Sequence, residues 1–206
     1  VQVERQRKHK PEKAEPGVIA LELPPAQLDA DMQAYFDKCV EKLGFVPNVL
    51  RAYAFDLAKL KAFVAMADDL MLAPSGLSKL EREMIAVTVS CANFCHYCIV
   101  AHGAAVRKLS GNAQLGDILA ANYRAADLDG RTRAMLDFVW KLTAEPWTIE
   151  ESDRAALRKV GFKERDIWDI AAVAGFYAMS NRIASATEMR PNDEYYEMGR
   201  HPGRAR

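Results

Sequence analysis

Glu83, Cys95, Cys98 and His102 are side chains that move protons and electrons, and they stand close together in the sequence. Cys95 and Cys98 form a C-x-x-C pair, and His102 follows the second thiol by four residues. On a helix each residue advances about 100°, so positions 95, 98 and 102 fall at roughly 0°, 300° and 340° and share one face. The imidazole can then take a thiol proton from Cys98 directly or through one water. At a helix start both thiols feel the positive end of the dipole and unpaired amides, which lowers their pKa values. A pair so placed can open and close a disulfide.

Glu83 needs a turn to join them, because in one straight helix it would lie about 18 Å from Cys95. Asn93-Phe94 interrupts the pattern there. If the chain doubles back, Glu83 lies ten residues before Asn93 and His102 nine after it, at nearly equal height in an antiparallel pair. The carboxylate could then orient the imidazole. The plainer reading of Glu83 is a solvated helix carboxylate, and that of Cys91 and Cys39 a small buried hydrophobe in an apolar stripe. Phe94, His96 and Tyr97 flank the thiols and are candidates for lining a substrate pocket, although aromatic packing explains Phe94 and Tyr97 equally well.

The elements that must position these groups read as helices. Apolar residues recur at three- and four-residue steps from Gln27 to Gly44, then from Val49 to Met71, which reads as one helix bent near Phe55-Asp56 or as two. Ser78 and Glu81 have capping-box spacing before a buried helix that runs through Ser90. Further helices are expected at 95–109, 114–123, 132–142, 148–160 (with a second box at Thr148 and Glu151) and 164–187. Strand-like alternation is scarce, so the fold class is all-α. Residues 1–25 carry four prolines and read as an extended or flexible arm, 26–190 as one helical domain, and 191–206 as a tail, free or wrapped on a neighbouring subunit. Ile85-Ala-Val and Ile170-Ala-Ala hint at a duplicated helical unit in which Ser180, Ile183 and Thr187 replace the reactive groups. Two similar apolar helices are the plainer account. Trp140, Trp147 and Trp168 read as core or interface groups, and His9 and His201 as solvated.

Composition excludes other classes. The 206 residues hold 28 basic and 28 acidic side chains, which leaves no cationic surplus for nucleic acid. No apolar run approaches the ~18 residues that span a bilayer, and the first residues lack a secretory apolar segment, so a cytoplasmic address is expected. The chain begins at Val1 without an initiator Met, which is compatible with residues upstream.

The Glu83…Cys95-x-x-Cys98-x-x-x-His102 constellation, with the runs Pro74-Ser-Gly-Leu-Ser-Lys-Leu-Glu-Arg-Glu-Met-Ile-Ala-Val and Asn181-Arg-Ile-Ala-Ser-Ala-Thr-Glu-Met-Arg-Pro-Asn, resembles the alkylhydroperoxidase D-like, "peroxidase-related" branch of the carboxymuconolactone decarboxylase superfamily. One departure is His96 preceding Tyr97, where well-studied members have their histidine next to the second cysteine. The resemblance implies an all-helical homo-oligomer (dimer, trimer or hexamer) that reduces hydroperoxides without cofactor or metal. It implies that Glu83 and His102 deprotonate Cys98, that Cys98 becomes a sulfenic acid, and that Cys95 condenses with it. A lipoyl-type or thioredoxin-like dithiol then resets the pair. Three other readings compete. Zinc could use Cys95, Cys98 and His102, but His96 points about 100° away and leaves three co-facial ligands. The decarboxylase branch does not rest on a cysteine pair. A redox-sensing or partner-binding module would oxidise once and stop.

Overall fold

Asp29 starts the first helix by accepting the Met32 amide at 3.1 Å, and Gly44, at φ 89°, ends it, giving α1 (Ala30–Leu43). The bend expected near Phe55-Asp56 is a full break. There α2 (Asn48–Tyr53) stops, and the Asp56 carboxylate accepts the Lys59 amide at the start of α3 (Leu57–Leu72). These three helices close over Met32, Val46, Leu50, Leu60 and Val64. In this computed structural model the described residues are 17–201; His9, most of the predicted arm and the last five residues lie outside them.

Ser78 and Glu81 form the capping box that begins α4 (Lys79–Ala92). All seven residues from Met84 to Ser90 are buried, so α4 is enclosed on every side and serves as the axis of the molecule. Around it pack α5 (His96–Ser110), α6 (Leu115–Asn122), α7 (Gly130–Ala144) and α9 (Glu164–Ala186), while α8 (Glu151–Lys159) lies against α7 and α9. Ile85, Val87, Val89, Val106, Met135, Leu136, Val139, Ile170 and Val173 meet in the shared core, each burial contributing about 1.5–3 kcal/mol. Among the described residues there are ten α-helices and no strand, and no helix is long and apolar enough to cross a membrane.

Three expectations are corrected. Thr148 does not cap α8: its hydroxyl donates to the Glu145 carbonyl inside a 3-10 turn, and the Glu150 amide donates to Asp153 instead. α9 runs unbroken through Ala178-Met179, where a copy of the α4–α5 pair would need its turn, so the sequence echo is not a repeated helix pair. Of the core and interface alternatives for the tryptophans, Trp147 and Trp168 are exposed, which leaves the interface one for them. The tail is not free: α10 (Glu194–Glu197) lies on α5, where buried Arg107 donates to the carbonyls of Tyr195 (2.8 Å) and Met198 (3.0 Å). Asn192 fastens the segment before it, accepting the Asn48 amide at 2.7 Å and donating to Val46 at 3.1 Å. The described part of the arm runs beside the same region, with the Ala20 amide on the Thr187 carbonyl and the Arg190 amide on that of Val18.

α5 is held against α6 by a glycine contact. A Cβ built on Gly116 would lie 2.4 Å from the Gly103 carbonyl oxygen, so the two backbones approach more closely than any side chain permits. Alanine is the better helix former by under about 1 kcal/mol, but the clash exceeds that gain. Gly116→Ala is therefore expected to lose about 1–3 kcal/mol in urea unfolding.

Candidate active site

The chain reverses between α4 and α5 in three residues. The Asn93, Phe94 and Cys95 amides donate to Val89, Cys91 and Ser90 carbonyls at 3.0, 3.1 and 2.9 Å, and Phe94 takes up the reversal at φ 53°. Antiparallel packing then sets Glu83 of α4 beside His102 of α5. His102 Nδ1 lies 2.7 Å from Glu83 Oε2, with both side chains 18% exposed. With its proton on Nδ1 the imidazole donates to the carboxylate and leaves Nε2 as an acceptor. Tyr177 packs edge-on against the imidazole, its ring centroid 4.4 Å from that of His102 at 73°.

Cys95 occupies the N-cap of α5 with extended backbone, φ −85° and ψ 101°, and Cys98 is the third residue of the helix. Both thiols are free. The Cys95 sulfur faces the thiol and the amide of Cys98 and the Ser185 hydroxyl, and feels the charge of His102. The Cys98 thiol is the largest influence, and together these outweigh burial and bring Cys95 down to about 6. Cys98 moves the opposite way: the adjacent Cys95 sulfur and burial push it above the usual thiol range. The neighbouring sulfur thus favours a pair that carries a single negative charge, with Cys95 lowered and Cys98 raised. Asn181 of α9 and Ser90 of α4 act on Cys98 in the lowering direction but do not outweigh the Cys95 sulfur and burial.

A cleft of about 500 Å³ opens onto this pair, lined by Phe94, Cys95, His96, Tyr97, Met189 and Arg190 among others. Cys95 is among its lining residues and Cys98 is not, and both are buried, at 1% and 3% exposed. Phe94 is 89% exposed at the mouth. His96 turns outward, its Nε2 3.0 Å from the Tyr196 hydroxyl. Tyr97 shows the cleft only part of its surface; its ring is buried and its hydroxyl accepts the Val49 amide at 2.9 Å. Cys91 packs on the main core with its thiol 3.2 Å from the Ala120 carbonyl, and burial pushes it up to about 11. Cys39 packs among α1–α3 and is pushed upward by burial.

Ser90, Asn93, Asn181 and Ser185 were absent from the sequence-predicted site. Their signal was present: each is a polar residue in or beside a stretch that otherwise reads as core. Asn93 Nδ2 donates to Asn181 Oδ1 at 3.0 Å, Asn181 Nδ2 to Ser90 Oγ at 3.0 Å, and Ser90 to the Ala86 carbonyl at 2.6 Å.

The profile of the carboxymuconolactone decarboxylase family matches residues 59–136, the stretch from α3 to α7 that carries all four predicted groups. An uncharacterized peroxidase-related protein from Silicibacter sp. TM1040 is 59% identical over 92% of this chain and 100% of its own, with a TM-score of 0.88. This chain belongs to that family. A second member of its alkylhydroperoxidase-like branch, described as an alkylhydroperoxidase AhpD core and an uncharacterized peroxidase-related protein from Ralstonia eutropha JMP134, is 44% identical over 92% of this chain and 100% of its own (TM-score 0.87). A debrominase solved with 2,3,4-tribromopyrrole shares the fold at 17% identity, covering 86% of this chain and 95% of its own (TM-score 0.73). No curated protein matches the chain.

The lowered Cys95 makes a direct prediction for this family member. A thiolate should be present at neutral pH and lost as pH falls through about 6, so alkylation by iodoacetamide should slow about tenfold per pH unit below that point. A first midpoint near that of a free thiol would contradict the geometry.

Proposed function

We propose that this protein is a thiol-dependent hydroperoxide reductase in which Cys95 and Cys98 cycle between dithiol and disulfide. The observation that carries the reading is the pair itself, two free thiols at the N-cap and in the first turn of α5, beside the Glu83–His102 hydrogen bond and with Cys95 among the residues that line a cleft. A thiolate attacks the peroxide oxygen, the O–O bond breaks, and the alcohol leaves with a proton while the sulfur becomes a sulfenic acid. The second thiol displaces water from that sulfur and the disulfide closes. A dithiol of lipoyl or thioredoxin type returns two electrons and two protons.

The Glu83–His102 couple supplies the proton traffic. His102 makes its hydrogen bond to Glu83, leaving Nε2 free to exchange a proton with the sulfurs through a bridging water. Glu83 holds the ring and favours the imidazolium when the proton arrives. The resemblance assigns the first attack to Cys98. A second reading, favoured by the lining of the cleft and the lowered Cys95, assigns it to Cys95. In both, the active unit is the pair, and the redox-sensing alternative differs in lacking a reductant that resets it.

Two measurements test this. Pre-reduced protein supplied with dihydrolipoamide is expected to consume many equivalents of organic hydroperoxide per chain, while the serine variant that keeps the attacking sulfur should consume one and the other none; consumption that ends at one equivalent in the wild type would favour the sensor. Dimedone trapping in the two serine variants shows which sulfur takes the oxygen. His102→Gln and Glu83→Gln should lower turnover about 100-fold or more for His102, and less for Glu83, which acts through it. Unchanged rates in both would remove the couple from the mechanism.

A further inference from the structure

We propose that residues 191–200 form a strap that closes over the thiol pair and swings aside to admit reagents to the sulfurs. Cys95 and Cys98 are both almost fully buried, although Cys95 lines the cleft, so the closed molecule leaves a reagent almost no surface of either residue. Part of the wall therefore has to move. That wall has three pieces: the α4–α5 turn, the end of α9 with the residues just after it, and the strap. The turn is tied to the last turn of α4 by three backbone hydrogen bonds, and α9 is a continuous helix of 23 residues packed on the main core. The strap contains a single helix of four residues, α10.

Two tyrosines of the strap do the covering. Tyr195 is buried in the cluster that contains both cysteines, its ring edge-on to Phe45 at 5.0 Å. Tyr196 lines the cleft, with its hydroxyl 3.0 Å from His96 Nε2. It also lines a second cavity of about 120 Å³ shared with Gly103, Arg107, Gly116, Asp117 and Arg200, where the strap meets α5 and α6. With space at both places, Tyr196 lacks the close packing that fixes side chains in the core.

The strap is attached differently at its two ends. At the near end Asn192 is buried and holds both the Asn48 amide and the Val46 carbonyl, which makes it the pivot. At the far end is a latch. Arg107 donates to the carbonyls of Tyr195 and Met198, and Arg200 Nη1 and Nη2 donate to Asp117 at 2.8 and 3.3 Å. Gly199, at φ 75°, lies directly on the α5 backbone: a Cβ there would come 2.8 Å from the Lys108 amide nitrogen, so a side chain would push the strap off the helix. Asp117 and Arg200 are both partly exposed, which makes their ion pair weak and easily replaced by water. Opening thus exchanges a few hydrogen bonds for hydrated ones and leaves the main core intact, a local event well below global unfolding. Control of access holds for any thiol reagent, and its use in turnover rests on the thiol-peroxidase reading above.

The test follows alkylation of Cys95 by iodoacetamide in full-length reduced protein, located by peptide mass spectrometry, alongside hydrogen exchange of the backbone amides. Gly199→Ala is expected to raise the Cys95 alkylation rate about tenfold by forcing the latch open. Arg200→Gln, which deletes only the ion pair, should raise it about threefold, and it decides alone if Gly199→Ala fails to fold. Because the strap governs access and not charge, the pH midpoint of alkylation should stay at the wild-type value while the rate rises by one factor at every pH. The amides of Tyr195, Tyr196 and Met198, hydrogen-bonded within the strap, should exchange faster, and those of α7 should keep the wild-type rate. Faster strap exchange with unchanged alkylation would overturn the proposal, since access would then run elsewhere. Alkylation that rises together with α7 exchange would overturn it as general loosening, and strap exchange unchanged in the variants would remove the latch. No peroxide is present, so a failure here is separate from a failure of hydroperoxide turnover.

Discussion

Phe94 is held at φ 53° with 89% of its surface in solvent, so at one residue the chain accepts a left-handed backbone and an unburied aromatic ring. The backbone conformation alone costs roughly 1–2 kcal/mol. What it achieves is reversal within three residues, offset by the hydrogen bonds of Asn93, Phe94 and Cys95 to the last turn of α4. Only a turn this tight keeps α4 and α5 in register so that Glu83 meets His102. The same reversal leaves Cys95 outside the helix as its N-cap, in extended backbone, with its sulfur before the first amides of α5. A longer loop would satisfy the helices and lose both contacts.

Around this turn the balance between apolar and polar burial is what gives the sulfurs their character. Cys95, Cys98 and Tyr97 share a cluster with Phe45, Met189 and Tyr195, well separated from the main core along α4. Such surroundings disfavour charge and would make both thiols inert, as burial does for Cys91. Against burial, the neighbouring Cys98 thiol is the largest influence that brings Cys95 down, with smaller help from the Cys98 amide and the Ser185 hydroxyl. Reactivity here is a local exception within an apolar volume, maintained by the pairing of the two sulfurs.

Much of this was readable beforehand, and the remainder was hidden for physical reasons. The Ser78–Glu81 box, the face shared by Cys98 and His102, and the break at Asn93-Phe94 depend on residues within a few turns of one another, where helical period and capping chemistry act directly. Thr148 misled because a T-x-x-E spacing does not reveal that Pro146 has already tightened the chain into a 3-10 turn. Asn181 and Ser185 reach the thiols from a helix some eighty residues away, and no local rule says which face of α9 meets α5. The tail looked polar enough to be free, but its carbonyls answer Arg107, a cation that α5 buries and cannot satisfy alone.

The position of Tyr195 in the thiol cluster gives the site a history in time. Its ring packs edge-on to Phe45 at 5.0 Å and belongs to the wall around Cys95 and Cys98, yet it lies 97 residues after Cys98 in the chain. A ribosome adding about 5–20 residues per second needs roughly 5–20 s to cover that interval. Throughout it the thiols are made and their cover is not. The nascent chain therefore passes through a stage in which a C-x-x-C pair is open to stray oxidants and to other thiols, and closure of the site waits for the synthesis of Tyr195.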